Sequence, residues 1–145
     1  MKWSAFRSPL LVATVAAALA GCASNAVTPT PPGQTTDTFT GTLTTGSSLP
    51  SPGGLPLVFT AKAGQVDVKL TTVSPDGTLK FNMYVGVYNV YYGSCTPTVS
   101  NDTVGVGGTL SGLATATTTL CISITDPNVI PAGVSESITI TATHY

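Results

Sequence analysis

Side chains that could act as general bases, nucleophiles or metal ligands are few in this chain of 145 residues. It has one histidine, His144, one place from the last residue. Triad or general acid–base chemistry needs a base held against its partner. The sequence offers no paired carboxylates and no Gly-x-Ser-x-Gly to go with that histidine. Zinc needs three or four ligands, which a single histidine does not supply. The expectation is a non-enzymatic protein without a cofactor, in which His144 is an exposed terminal residue. Calcium is the better metal candidate, because Asp76, Asp102 and Asp126 fall in turn-forming segments where carboxylates and carbonyls can converge. The plainer reading of these three is local capping of turn backbone. Tyr84, Tyr88 and Tyr92 share one phase of a strand, provided that the strand runs that far. Such a row can stack on sugar faces, and surface tyrosine on a sandwich is the plainer reading.

The amino-terminal residues direct all of this to a compartment. Lys2 and Arg7 precede an apolar run, Leu10 to Ala20, of eleven residues. This fits a secretion signal and is too short to span a bilayer as a stable helix. The run ends in Leu19-Ala20-Gly21-Cys22, which resembles the bacterial lipobox at all four positions. The resemblance implies cleavage before Cys22, a diacylglycerol on its sulfur and an acylated amino terminus. Several acyl chains anchor stably where one is marginal. Ala23, rather than Asp, follows the cysteine, which favours the outer membrane. The mature chain keeps Lys62, Lys69 and Lys80 against six carboxylates, a net charge of −3 with no arginine. That excludes a nucleic-acid partner, which needs a basic stripe. The partners expected are the membrane, through the lipid, and a glycan or protein not identified by the sequence.

Residues 22–36 carry Pro29, Pro31 and Pro32 and no hydrophobic period, so they read as a tether. From Asp37 onward the period is two. Phe39-Gly41-Leu43, Leu55-Leu57-Phe59-Ala61, Val66-Val68-Leu70, Leu79-Phe81-Met83-Val85-Val87, Leu120-Ile122-Ile124 and Ile138-Ile140-Ala142 alternate with mostly polar neighbours. One apolar and one polar face per strand is the antiparallel, half-solvated pattern. Turn clusters such as Ser51-Pro52-Gly53-Gly54 and Ser74-Pro75-Asp76-Gly77 separate the runs. Only 8% of residues are charged, against a usual value of about 25%. The fold expected for 37–145 is all-β: an antiparallel, jelly-roll-like β-sandwich of about seven or eight strands.

With Cys22 assigned to lipid, Cys95 and Cys121 remain, in an exported and oxidising setting, and they are expected to form a disulfide. The segment order from Phe39-Thr40-Gly41-Thr42-Leu43, through Phe59–Val68 and Gly93-Ser94-Cys95, to Leu120–Asp126 and Ile138–His144 resembles the bacterial pre-peptidase C-terminal domain in its small, Cys-containing form. That resemblance implies a jelly-roll-like sandwich used as a non-catalytic module, with calcium bound in some relatives. No peptidase precedes the module in this chain. The functional expectation is a membrane-anchored binding or structural module. The alternative is a carbohydrate- or cell-wall-binding module using the tyrosine row.

Overall fold

The computed structural model describes residues 33–51 and 57–145. The expected signal, Cys22 and most of the expected tether lie outside the described residues. Nine strands form in order: β1 (Thr35–Thr44), β2 (Ser48–Leu49), β3 (Leu57–Ala61), β4 (Gly64–Ser74), β5 (Phe81–Asn89), β6 (Ser94–Val104), β7 (Thr109–Ala114), β8 (Thr118–Thr125) and β9 (Ser135–His144). They make two antiparallel sheets, one ordered β1-β9-β4-β7, the other β2-β8-β5-β6 with β3 also on β8. β2 and β3 lie end to end along one edge of β8, facing Thr125–Ile124 and Ile122–Thr118 respectively. Counted as one interrupted edge strand, they leave eight.

The topology is a hairpin rolled on itself. β5 pairs with β6, β4 with β7, β2 and β3 with β8, and β1 with β9, each pair nested outside the last. This is the jelly roll. The sandwich begins two residues before the expected boundary at Asp37, because Thr35 and Thr36 already pair with His144 and Thr143.

Alternation explains the core. Leu43, Val68, Leu70, Ile138, Ile140 and Ala142 from the first sheet meet Phe59, Phe81, Met83, Ile122 and Ile124 from the second, all buried. Fully burying a side chain of this size stabilises by about 1.5–3 kcal/mol. β8 is a central strand whose outer face is also covered: Cys121 and Ser123 are as buried as its inward residues. In β4 the pairing with β9 shifts between Leu70 and Thr72, so Val73 rather than Thr72 returns to the core. The extra residue, Thr71, donates its hydroxyl to the Thr139 carbonyl.

The crossovers define two ends. β3 passes to β4 through Lys62 and Ala63, and β7 to β8 through 115–117. The β5–β6 turn, 90–93, closes at this same end, where β1 also begins. The 45–47, 75–80, 105–108 and 126–134 connections occupy the opposite end.

Candidate functional site

Between the free margins of the two sheets lies an apolar cleft of about 440 Å³. β4 and β7 supply one wall through Val66, Val68 and Leu110. β5, β6 and β8 supply the other through Val85, Val99 and Leu120. Inward positions along β7 run Leu110, Gly112, Ala114, and the glycine is why the wall stands open. A Cβ at Gly112 would meet only a Val99 methyl, at 3.9 Å. Thr115–Thr118 line the cleft at the end where β1 begins. The size and lining are those of a pocket for a small ligand or an apolar group.

Cys95 and Cys121 are bonded, with Cα atoms 5.9 Å apart. They belong to β6 and β8, which lie on either side of β5. Strands two apart are normally about 9.5 Å from each other, so β6 must curl over β5 to close the bond. The residue of β5 opposite both Cys121 and Pro97 is Gly86. A Cβ there would collide with the Thr96 carbonyl oxygen and would lie 2.9 Å from the Pro97 Cα. A bulge on β6 at Thr98 supplies the local twist.

The tyrosine row stops at Tyr88. β5 ends at Asn89, whose side-chain carbonyl accepts the amides of Tyr91 and Tyr92 and turns the chain. Gly93, at φ 62°, completes the turn in a conformation that favours glycine. Tyr84 and Tyr88 stay half-buried on the outer face of β5, beside Ser123 and Cys95. Tyr92 instead packs edge-on against Tyr91 at the hairpin tip, with ring centroids 4.9 Å apart.

The three aspartates do not converge. Asp76 accepts the amide and hydroxyl of Thr78, and these bonds, the hydroxyl first, hold its carboxyl below the usual value of 3.8. Asp102 is exposed on β6. Asp126 is buried and accepts the amides of Gly46, Val129 and Ile130. Among the described residues, no group of three or more His, Cys, Asp or Glu side chains is placed to hold a metal ion.

His144 corrects the expectation of an exposed end. It is buried at 5% exposure because it continues the inward phase of β9 past Ala142. Its Nε2 lies 3.0 Å from Asp37 Oδ2, and its ring packs on Phe59 with centroids 5.0 Å apart. Glu136 occupies the same phase at the other end of β9, buried, with Oε2 accepting the Asp76 amide. Both follow from the spacing Glu136-Ile138-Ile140-Ala142-His144, a period-two signal that the charges conceal.

No family model matches the chain, and no curated protein matches it. Among solved structures, it is similar to a mitogen derived from Yersinia pseudotuberculosis, at 13% identity and a TM-score of 0.49, covering 77% of this chain and 86% of that one. It is also similar to a periplasmic inhibitor of g-type lysozyme from Aeromonas hydrophila, at 17% identity and a TM-score of 0.44, covering 74% and 82%.

Proposed function

We propose that this is an exported, lipid-tethered and non-catalytic module that binds its ligand by an apolar group seated in the cleft between the sheets. The cleft itself carries the reading: a core otherwise closed by Val, Leu, Ile and Phe is left open at Gly112. Export is supported by the disulfide, which belongs to an oxidising compartment. The lipobox-like Leu19-Ala20-Gly21-Cys22 supports the tether, and Ala23 favours the outer membrane. A non-catalytic sandwich is also what the likeness to pre-peptidase C-terminal domains implies.

The test is Gly112→Phe, which fills the space from a position with room for a side chain. Wild type should bind the apolar dye 1-anilinonaphthalene-8-sulfonate saturably in its native state. The variant should bind it at least about tenfold more weakly without a lower melting temperature. Equal dye affinity in a variant that melts normally would refute the cleft as the binding site.

A further inference from the structure

We infer that the β5–β6 hairpin tip is a second membrane contact, which seats the tethered end of the sandwich in the headgroup region of the bilayer. The inference rests on the lipid anchor at Cys22 and adds to it. Val90, Tyr91 and Tyr92 project from the 90–93 turn at 76%, 84% and 75% exposure. Three consecutive apolar or aromatic residues at a turn cost solubility and contribute nothing to the core. Their neighbours Asn89, Gly93 and Ser94 are uncharged. Tyrosine is suited to the membrane–water interface, with its ring among the acyl chains and its hydroxyl in water.

Position in the fold indicates a lipid occupant. β1 begins at Thr35 at the same end of the sandwich as this hairpin. Twelve residues separate Cys22 from Thr35, so the lipid is joined to the domain at this end. Exposed apolar side chains follow the same polarity. Of the seven large ones among the described residues, Val87, Val90, Tyr91, Tyr92 and Leu113 are on the tethered half, and Val106 and Val129 are at the far end. Charge runs the other way. Asp76, Asp102, Asp126 and Glu136 gather toward the far end with Lys80, whereas the tethered half has Asp37, Asp67 and Lys62, and Lys69 lies midway along β4. An anionic surface therefore meets the end with fewer carboxylates. A hairpin tip inserted about 5–10 Å would also bring the Thr115–Thr118 rim of the cleft close to the headgroups.

The mature sequence has no tryptophan, because Trp3 lies in the signal. Tyr92→Trp therefore places a lone indole at the tip, and Val106→Trp places one at the far end. The lipidated chain is mixed with phosphatidylethanolamine–phosphatidylglycerol vesicles, some of whose acyl chains are brominated, and floated on a density gradient. The expected result is flotation of both variants, with bromine quenching severalfold stronger, and emission shifted to the blue, for Tyr92→Trp alone. Flotation with equal quenching of both indoles would overturn the hairpin contact and leave the anchor standing. Failure to float would overturn the anchor, and the hairpin contact with it.

Discussion

Asp126 gathers three backbone N–H groups at the foot of the sandwich, from Gly46, Val129 and Ile130, while only 2% exposed. It thereby joins the connection after β1 to the connection after β8, assisted by the Thr45 hydroxyl on the Ile130 carbonyl. Asp126→Ala should destabilise by on the order of 3 kcal/mol, because it strands buried donors, and calorimetric melting would read this directly. Asp126→Asn should recover part of the loss, since one carbonyl oxygen remains to accept. Asp76 is the contrasting case, fully exposed and held down in pKa by Thr78. A depressed folded-state pKa stabilises above the ordinary carboxylate value and ceases to do so as pH falls through the lowered one. Thr78→Val should move the Asp76 carboxyl back up toward 3.8, as followed by an NMR titration of its side chain. A carboxylate in a turn looks alike in sequence whether it will take a cation or an amide. What separates them is which donors arrive, and Gly46 comes from 80 positions away.

At the scale of elements, the decisive contact is the passage of β6 over Gly86. Gly86→Ala should push Thr96–Pro97 off β5 and impede the Cys95–Cys121 bond. Titration of free thiols in protein from an oxidising compartment should then find two where wild type has none. Loss of the bond alone would cost about 3–4 kcal/mol in the chain-entropy view. Alternation made β1, β3, β4, β5 and β9 legible, because each sets a buried face against a more exposed one, and it marked β8 through Leu120, Ile122 and Ile124 although the other face of that strand is buried too. β6 was not, since most of its residues are exposed and Pro97 interrupts it, as an edge strand permits. β7 was hidden by its small inward residues, Gly112 and Ala114, which are the same residues that open the cleft. The site was therefore less legible than the fold: a cleft is made by missing side chains, and sequence pattern registers those that are present. Extending the tyrosine phase to Tyr92 failed because Asn89 turns the chain first.

For the molecule as a whole, composition and period fixed the class but not the strand order, which depends on pairings such as Thr35 with His144 across nearly the full domain. For a chain exported as proposed above, that nesting has a consequence for the journey out of the cell. A chain threaded through a membrane emerges amino terminus first, so β1 arrives before any strand that can pair with it. Only the innermost hairpin, β5 with β6, finds its partner promptly. β4 must wait for β7, β8 must appear before β2 and β3 are covered, and β1 remains unpaired until β9, the last strand, has come through. Distant pairings of this kind are slow to form. The roll therefore keeps the polypeptide in a threadable state for as long as threading lasts, and completes its sandwich only on the far side.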